Sequence, residues 1–254
     1  MSGCGKIRCE NKKKYIFSDP IYSIITVSLN ARQGIEKTAR SISTQQCDAF
    51  EWIVIDGGST DGTLQFLERE KGVNRLVSEL DDGIYDAMNK GIQYARGSYC
   101  LFLNAGDLLY NSLVLERMKE YLTADLVVGR MQVVCPENPA KNGIRQFDNQ
   151  DIRKKYLFSR SLPHPATLIK KSLFFRYGFY DQGFEIAGDH DFFARVLTKG
   201  ASMGFAPFCV SVFSLDGISA RMKGSEKLIA ETTWIRERNF SRGYRLWRRI
   251  VDAF

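Results

Sequence analysis

Histidine is nearly missing from this sequence: its 254 residues include only His164 and His190. Metal cages built from several histidines are therefore excluded. The glycine-rich loops of common nucleotide-binding proteins are missing as well. No Gly-x-Gly-x-x-Gly run follows the first predicted strand, which argues against a dinucleotide site, and no Gly-Lys-Ser/Thr loop is present, which argues against a P-loop NTPase.

Long apolar runs are also missing. The first 20 residues contain no apolar region of the kind found in secretory signal peptides, and no uninterrupted apolar stretch reaches the length of a membrane span. The six cysteines are scattered, and Cys4 and Cys9 resemble half of a metal site that no second pair completes. We therefore expect a cytoplasmic protein of a reducing compartment, at most peripheral to a membrane, without structural zinc.

The charge of the chain is concentrated at its ends. The net charge is +7, and residues 1–20 hold five Lys/Arg against two acids, while residues 221–254 hold nine against four. Residues 21–220 are nearly neutral, with 22 basic and 23 acidic side chains. A nucleic-acid enzyme usually carries its basic residues across its working face, so we expect no nucleic-acid partner. Basic ends on a neutral body suit an anionic membrane surface better.

Hydrophobic periodicity predicts strands that alternate with helices in the first half of the chain. The predicted strands are Tyr22–Ser28, Glu51–Ile55, Arg75–Ser78 and Tyr99–Leu103. This alternation predicts a parallel α/β sheet with right-handed crossovers. Residues 1–19 are polar and lysine-rich, and we expect them to be poorly ordered. Residues 136–150 are predicted to form a long polar loop.

The run Asp56-Gly57-Gly58-Ser59-Thr60-Asp61-Gly62-Thr63 directly follows the second of these strands. An acidic residue at the carboxyl end of a strand, followed by a glycine-rich turn into a helix, marks where open α/β sheets bind nucleotides. Asp56 is placed to accept hydrogen bonds from a base or ribose. The alternative is that Ser59 or Asp61 caps the helix and the glycines only turn the chain.

Two more carboxylates fall at the ends of predicted elements. Asp107 follows an apolar strand and should reach the same sheet edge as Asp56, where a carboxylate beside a diphosphate would bind Mg²⁺ or Mn²⁺. Asp189 begins a predicted helix and could deprotonate an acceptor hydroxyl. A helix N-cap is the alternative for both, and Asp191 could cap in place of Asp189. We expect His164, between two prolines, to contact a ligand in a pocket; the alternative is a satisfied interior histidine.

These residues form part of a series of motifs that resembles the family 2 glycosyltransferases. After the run at Asp56 come SELDDGIYDAMNKG at residues 78–91 and LNAGD at residues 103–107. Pro163-His164-Pro165-Ala166, Gly188-Asp189-His190-Asp191 and Gly217-Ile218-Ser219 follow in order. The resemblance covers about residues 21–220 and is strongest to the branch that adds sugars to bacterial surface polysaccharides and lipid-linked oligosaccharides.

The resemblance implies a GT-A fold, an α/β fold with a mostly parallel sheet flanked by helices. It also implies an inverting transfer from a nucleoside-diphosphate sugar, assisted by Mn²⁺ or Mg²⁺, with Asp189 as catalytic base and Asp107 as metal ligand. The implied nucleotide-binding residues are Asn30, Asp56, Gly57, Asp81, Lys90, Asn104 and Ala105. The implied acceptor-pocket residues are His164, Glu79, Tyr85 and Asp191. Asn104 and Gly106 stand where the family commonly has further acids, which leaves the metal dependence open.

We expect three parts in the chain: a basic tail at residues 1–20, a GT-A domain at residues 21–220 and a basic helical extension at residues 221–254. Within the domain, residues 21–110 would bind the nucleotide and residues 111–220 the acceptor. In the extension, an apolar helix face would be formed by Tyr244, Trp247, Ile250, Val251 and Phe254, with Arg242, Arg245, Arg248 and Arg249 on the other sides.

We expect this extension to bind anionic lipid at the cytoplasmic face of the inner membrane, where a lipid-linked saccharide acceptor would be met. The alternative is that the helix packs its apolar face on the GT-A core. As donor we expect a UDP-sugar first and a GDP-sugar second.

Two other functions are weighed against this one. A sugar nucleotidyltransferase would need a basic, glycine-rich loop after the first strand, whereas residues 30–34 contain one glycine and one basic residue. A catalytically silent relative would only bind a nucleotide sugar or scaffold a complex, and the presence of Asp56, Asp107 and Asp189 together argues against it. A glycosidase would need a protonated carboxylic acid opposite a second carboxylate, and no such pair is marked.

Overall fold

The computed structural model describes residues 6–8, 19–147, 154–215 and 224–251. The described part of the chain is built on one ten-stranded sheet. The strands of its first half are β1 (Lys6–Arg8), β2 (Tyr22–Ser28), β3 (Phe50–Asp56), β4 (Arg75–Ser78) and β5 (Tyr99–Phe102). Those of its second half are β6 (Leu108–Leu109), β7 (Leu126–Val134), β8 (Gly143–Arg145), β9 (Thr167–Lys170) and β10 (Met203–Ser214).

Helices connect most of these strands. In chain order they are α1 (Arg32–Ser43), α2 (Thr63–Arg69), α3 (Ile84–Tyr94), α4 (Val114–Met118), α5 (Lys154–Ser159), α6 (Ser172–Tyr177), α7 (Gly188–Thr198), α8 (Glu226–Asn239) and α9 (Arg242–Val251). Short 3₁₀ turns occur at Lys119–Tyr121, Pro139–Lys141 and His164–Ala166.

The strand order is β1-β4-β3-β2-β5-β9-β7-β10-β6, with β8 beside β7. The neighbours β4, β3, β2 and β5 are all parallel, as the alternation of strands and helices predicts. β7 and β10 are also parallel, whereas the other pairs are antiparallel. The parallel arrangement therefore holds for β2 to β5, and the remainder of the sheet is mixed.

Both faces of the central strands are buried, which explains their continuous apolar sequences. In β2, Ile25 and Val27 lie in one hydrophobic core, and Tyr22 and Ile24 lie in the other. Successive side chains of a strand point to opposite faces, so each strand supplies both cores. α3 covers the first face and α1 covers the second.

The N-terminal segment contains an ordered strand, which corrects part of our expectation for residues 1–19. β1 pairs antiparallel with β4, with Ile7 opposite Val77. Without β1, β4 would be an edge strand with unpaired N–H and C=O groups, and such an edge accepts a further strand readily. Residues 1–5 and 9–18 lie outside the described part of the chain.

The predicted polar loop at residues 136–150 also contains regular structure. β8 pairs antiparallel with the end of β7, with Ile144 opposite Gln132. The connection is closed by Cys135, whose N–H donates to Oδ1 of Asn142 at 2.7 Å. The prediction of a featureless loop was therefore wrong for residues 139–145, because a hairpin with a polar connection carries little hydrophobic signal.

The C-terminal extension packs on the domain over much of its described length. In α8, Ile235 is fully buried, and in α9 the ring of Tyr244 stacks on Phe240 and lies edge-on to Phe158. The packing alternative therefore holds for α8 and for Tyr244. The side chains of Trp247, Ile250 and Val251 and all of Phe254 lie outside the described part.

Several basic side chains of the extension are bound within the protein. Arg236 donates to the carbonyl of Phe158, Arg238 pairs with Asp181 at 2.6 Å, and Arg245 donates to the carbonyls of Glu237 and Phe240. Lys227 pairs with Glu185. These cations are committed to the fold, so they are not available to lipid. Within the described residues, every helix is too short or too polar to cross a bilayer.

Candidate active site

The carboxyl ends of the four parallel strands meet at one edge of the sheet. Ser28, Asp56 and Ser78 are register partners across β2, β3 and β4. The loops that follow these strands therefore converge, and β5 delivers residues 103–107 beside them. The motifs that begin at Asp56, Ser78 and Leu103 therefore lie at the same edge of the sheet.

Asp56 is fully buried at this edge and only half of its carboxylate is used. Oδ2 accepts the hydroxyl of Ser78 at 2.7 Å and the N–H groups of Gly58 and Ser59 at 3.2 and 3.0 Å. Oδ1 is buried and has no hydrogen-bond partner among the described residues. Because a buried oxygen without a partner is costly, Oδ1 is the atom of this loop most suited to a ligand donor group.

The loops after β2 and β3 are bound to each other. Asn30, at φ +47°, accepts the N–H of Thr60 at 2.9 Å through Oδ1, and its own N–H donates to Oγ of Ser59 at 2.8 Å. Asp61 accepts the N–H of Thr63 at 3.0 Å. The N-cap of α2 is Gly62 and no side chain caps the helix, so Asp61 fastens the turn in front of α2 and the capping alternative was wrong for Asp61 and Ser59. The side-chain oxygen of Asn30 therefore already has a hydrogen-bond partner within the protein.

Lys90 of α3 lies among three carboxylates, two on the loop after β4 and one on α3 itself. Its Nζ is 2.6 Å from Asp81, 3.0 Å from Glu79 and 3.0 Å from Asp86. Burial alone would lower the pKa of Lys90. The hydrogen bonds that its ammonium donates to these carboxylates nevertheless raise the pKa well above its ordinary value. Burial, with a smaller contribution from the negative charges of Asp86 and Glu79, raises the pKa of Asp81 although the ammonium of Lys90 acts to lower it. Asp81 and Lys90 are brought together as predicted, while Glu79 joins them and not the acceptor pocket.

Two exposed leucines flank the double glycine beside Asp56. Leu29 is 62% exposed and Leu80 is 85% exposed. A Cβ placed on Gly57 would lie 3.1 Å from Oδ2 of Asp81 and 3.5 Å from Leu29, and one on Gly58 would lie 3.2 Å from Leu80. The glycines therefore allow these side chains to approach the turn. Sequence reasoning missed both leucines, although a single apolar residue in a polar loop after a strand was a usable signal.

Residues 104–107 form a tight turn fastened to α1. The N–H of Asp107 donates to the carbonyl of Asn104 at 2.9 Å, and Gly106 adopts φ +108°. Oγ1 of Thr38 donates to the carbonyl of Asp107 at 2.8 Å and accepts the N–H of Gly106 at 3.0 Å. Leu108 begins β6 and not a helix, so the N-cap alternative for Asp107 was wrong.

The same turn offers oxygen ligands for a metal ion. No group of three His, Cys, Asp or Glu side chains in the described ranges could hold a metal by itself. Oδ1 of Asn104 is nevertheless buried without a hydrogen-bond partner among the described residues, three positions before the carboxylate of Asp107. Carboxylate and amide oxygens are ligands that Mg²⁺ accepts when phosphate oxygens and waters complete its shell. The residues present therefore fit a donor-bound divalent ion.

Asp189 lies in the first turn of α7, and its carboxylate accepts one hydroxyl and lies near a second. Ser161 donates to Oδ2 at 2.9 Å, and the hydroxyl of Tyr85 lies 3.4 Å from Oδ1. No side chain caps α7, so the capping alternative for Asp189 was wrong. Among the described residues no Lys or Arg forms an ion pair with Asp189, and its carboxylate is half-buried. The polar neighbours of the Asp189 carboxylate are thus the neutral hydroxyls of Ser161 and Tyr85.

Tyr85 is buried between α3 and the start of α7. Burial, and then the charge of Asp189, raise the pKa of its hydroxyl well above the ordinary value, so the hydroxyl stays protonated and donates. A Cβ at Gly188 would lie 2.8 Å from the ring of Tyr85, so a glycine is required there. Tyr85 thus supports Asp189, a narrower role than the predicted wall of an acceptor pocket.

Known proteins resemble this chain in sequence and in fold. The family described as Glycosyl transferase family 2 matches residues 23–184. The chain belongs to this family. The resemblance and the enzyme class that we inferred from the sequence are thereby confirmed.

Individual relatives of this glycosyltransferase are similar over most of its length. A PGL/p-HBAD biosynthesis glycosyltransferase of Mycobacterium bovis is 32% identical over 190 residues, which are 72% of each chain. Residues 1–349 of Staphylococcus aureus TarS, solved with UDP-GlcNAc, share the fold at TM-score 0.63 and 19% identity, covering 76% of this chain and 58% of that one. The mannosyltransferase PcManGT of Pyrobaculum calidifontis, solved with GDP-Man and Mn²⁺, has TM-score 0.64 and 20% identity, covering 84% and 63%.

Asp191 does not belong to the site of the glycosyltransferase, which corrects our prediction. It is fully buried, accepts Nδ2 of Asn239 at 2.9 Å and lies 3.4 Å from Nη2 of Arg195. Two residues along a helix turn a side chain about 200° about the axis, so Asp189 and Asp191 point to different sides of α7. Asp191 joins α7 to α8.

His164 lies in the aromatic interior of the transferase. Its ring stacks on Phe102 at 4.8 Å, and its Nε2 is 2.8 Å from the hydroxyl of Tyr180. Burial lowers the pKa of His164, so the ring is neutral near pH 7. These contacts favour the alternative of a satisfied interior histidine over a direct ligand contact.

Proposed function

We propose that the protein is an inverting glycosyltransferase that moves a sugar from a nucleoside-diphosphate sugar to a hydroxyl group of a saccharide acceptor. The observation that carries this proposal is the carboxylate of Asp189, which accepts the hydroxyl of Ser161, lies beside the hydroxyl of Tyr85 and forms no ion pair with a Lys or Arg in the described part of the chain. A carboxylate in such a position is available as a general base. The family membership supports the donor class.

The loops at the sheet edge would bind the nucleotide. Oδ1 of Asp56 would accept a hydrogen bond from the base, which supplies the partner that this buried oxygen otherwise lacks. Leu29 and Leu80 would contact its apolar faces beside the double glycine. Asp81, Lys90 and the turn at Asn104 and Ala105 complete the nucleotide side. TarS was solved with UDP-GlcNAc and PcManGT with GDP-Man, so we propose a UDP-sugar first and a GDP-sugar second.

Asp189 would act on the acceptor. As the acceptor oxygen attacks the anomeric carbon, its proton passes to the carboxylate of Asp189, and the bond from that carbon to the diphosphate oxygen breaks with its electron pair. Attack on the face opposite to the leaving group inverts the anomeric centre. The hydroxyl of Ser161 holds the carboxylate in place while it receives the proton, and Tyr85 packs beside it.

Asp107 and Asn104 would hold a divalent ion against the diphosphate. A bound Mn²⁺ or Mg²⁺ would supply Lewis-acid stabilisation of the leaving group. The structure of PcManGT with Mn²⁺ supports this assignment. Thr38 keeps the turn in position through its bonds to the backbone of Gly106 and Asp107.

The two competing functions have less support. The loop at residues 30–34 has one basic residue, and Arg32 pairs with Glu36 at 2.8 Å, so it is not directed to the triphosphate of a nucleotidyltransferase substrate. A silent relative would not need a carboxylate supported by two hydroxyls at the acceptor side.

A screen of nucleotide sugars tests the proposal. We expect one class of donor, with Mn²⁺ present, to raise the melting temperature, and expect the same donor to be consumed when saccharide acceptors are added. The anomeric configuration of the product, determined by NMR, would distinguish inversion from retention. Donor binding without transfer to any lipid-linked or free saccharide would support the silent alternative, and pyrophosphate release from a nucleoside triphosphate would support the nucleotidyltransferase.

We propose in addition that α9 brings the enzyme to the cytoplasmic face of the inner membrane, where a lipid-linked acceptor lies. Leu246 and Arg242 of α9 are exposed, whereas the described cations of α8 are bound within the protein. An exposed amphipathic helix with arginines suits an anionic interface.

Co-sedimentation with liposomes tests this membrane role. We expect the full chain to bind anionic liposomes, a truncation after residue 240 to bind less, and added salt to weaken binding. A folded full-length protein that binds neither anionic nor neutral liposomes would show that α9 only packs on the domain.

A further inference from the structure

Glu231 of α8 is a buried carboxylate that binds the backbone in front of α7. It is only 7% exposed. Its Oε1 accepts the N–H of Glu185 at 2.9 Å, and its Oε2 accepts the N–H groups of Ile186 and Ala187 at 3.1 and 2.8 Å. These three residues directly precede Gly188, at which α7 begins.

All three N–H groups of this segment donate to the one carboxylate of Glu231. N–H groups at a helix start have no intrahelical partner, and a negative charge there is favoured by the helix dipole. Hydrogen bonds to an ionised acceptor are shorter and stronger than neutral ones. Glu231 therefore fixes the entry of the chain into α7, in whose first turn Asp189 lies.

One peptide group connects Glu231 to the proposed base. The peptide between Ile186 and Ala187 donates its N–H to Glu231 at 2.8 Å and accepts the hydroxyl of Tyr85 at its C=O at 2.9 Å. The same hydroxyl lies 3.4 Å from Oδ1 of Asp189. A displacement of this peptide would move both the start of α7 and the hydroxyl that supports Asp189.

The rest of α8 holds the same segment. The ring of Trp234 stacks on Phe184 at 4.6 Å, and Arg238 pairs with Asp181 at 2.6 Å. α8 lies outside the family match, which ends at residue 184. The support of the base therefore comes from a part of the chain beyond the matched region.

We propose that Glu231 is a positioning residue for the transfer reaction: it sets the carboxylate of Asp189 by fixing the backbone of residues 185–187. α8 is then part of the catalytic unit and not only an extension of it. This proposal rests on the proposed function, in which Asp189 is the general base.

The test compares Glu231→Gln with Glu237→Gln, an exposed position on the same helix. The measurements are the melting temperature, amide exchange of residues 185–187, and kcat and donor KM for transfer. In Glu231→Gln we expect faster exchange of these amides and a kcat lower by about 10- to 100-fold, because a small misplacement of a reacting group costs up to about 10²-fold. The donor KM should stay within about twofold, since the nucleotide loops are untouched. Glu237→Gln should match the wild type.

The possible results separate the two proposals. An active wild type with an equally active Glu231→Gln would contradict the positioning role alone, and so would a parallel change of kcat and donor KM. A folded wild type without transfer activity toward any donor and acceptor would contradict the proposed function and the positioning role with it. If Glu231→Gln does not fold, Glu231→Asp carries the same kcat test, because it keeps both carboxylate oxygens but is one methylene shorter.

Discussion

The hydroxyl of Tyr85 lies 3.4 Å from Oδ1 of Asp189, although 104 positions separate the two residues in the chain. Tyr85 lies in the first turn of α3, whose Lys90 belongs to the proposed nucleotide-side cluster, whereas Asp189 lies in the first turn of α7 in the proposed acceptor half. One helix thus touches both sides of the proposed reaction. Five predictions follow from this arrangement and the contacts around it.

Asp189→Asn should abolish transfer and leave the fold intact. An amide cannot accept the acceptor proton, so we expect kcat to fall by about 10²- to 10⁴-fold, the usual contribution of a general base. Donor affinity, measured by calorimetry, should be unchanged because Asp189 does not touch the nucleotide loops. Turnover near that of the wild type would place the base elsewhere.

Asp191→Asn should instead lower the stability of the fold. Asp191 is fully buried beside Arg195, whose pKa burial already lowers. Leaving that guanidinium without its counter-charge costs about 3 kcal/mol, which would lower Tm by roughly 10 °C in a protein of this size. Asp189→Asn is the matched control in thermal unfolding. A Tm equal to that of the wild type would contradict the structural role of Asp191.

Asp107→Ala should remove the metal dependence of donor binding. In the wild type we expect Mn²⁺ to tighten donor binding and EDTA to reverse the effect, since metal-bridged phosphates need a protein oxygen ligand. In the variant, donor affinity should be weak with or without EDTA. Asn104→Asp is the complementary variant and should strengthen Mn²⁺ binding. Equal donor affinity under both conditions in all three proteins would argue against the metal.

Asp81→Asn should weaken donor binding without lowering stability. Because burial raises the pKa of Asp81 in the folded state, its ionisation disfavours folding as the pH rises above the unfolded value of about 3.8. At pH 7 the neutral amide should therefore unfold at the same or a higher temperature, while Glu79 and Asp86 still bind Lys90. A clear fall in Tm would show that the pair of Asp81 and Lys90 stabilises the fold.

Stability should decline as the pH falls from about 7 toward 5. Burial lowers the pKa of His164 and of His190 below the ordinary value of 6.5. The unfolded chain therefore takes up protons in this range that the folded chain does not, which lowers the free energy of unfolding as pH falls. His164→Gln should reduce the slope of Tm against pH. A wild-type Tm that rises between pH 7 and 5 would contradict the neutral interior state of both rings.

The sequence alone was sufficient for the family, the parallel strands and the loops that bind the nucleotide in our proposal. These features are local: an apolar run predicts a buried strand, and a carboxylate with glycines after it marks the strand end. The strand Arg75–Ser78 was predicted with its observed bounds. Asp56 and Asp107 were selected for the same reason, since parallel strands bring their carboxyl ends to one edge, whereas Asp81 and Lys90 were selected from the family resemblance.

The tertiary structure decided what each acid and histidine does. Asp189 and Asp191 look alike in sequence, but they lie about half a turn apart on α7. Asp189 therefore lies at a half-buried site, whereas Asp191 is buried beside Arg195. His164 lies in the aromatic interior, where its ring stacks on Phe102. Tyr85 and Ser161 reach Asp189 from distant parts of the chain, and Glu231 binds the backbone just before its helix. No local pattern encodes such contacts, because burial and hydrogen-bond partners of a side chain depend on which distant segments pack beside it.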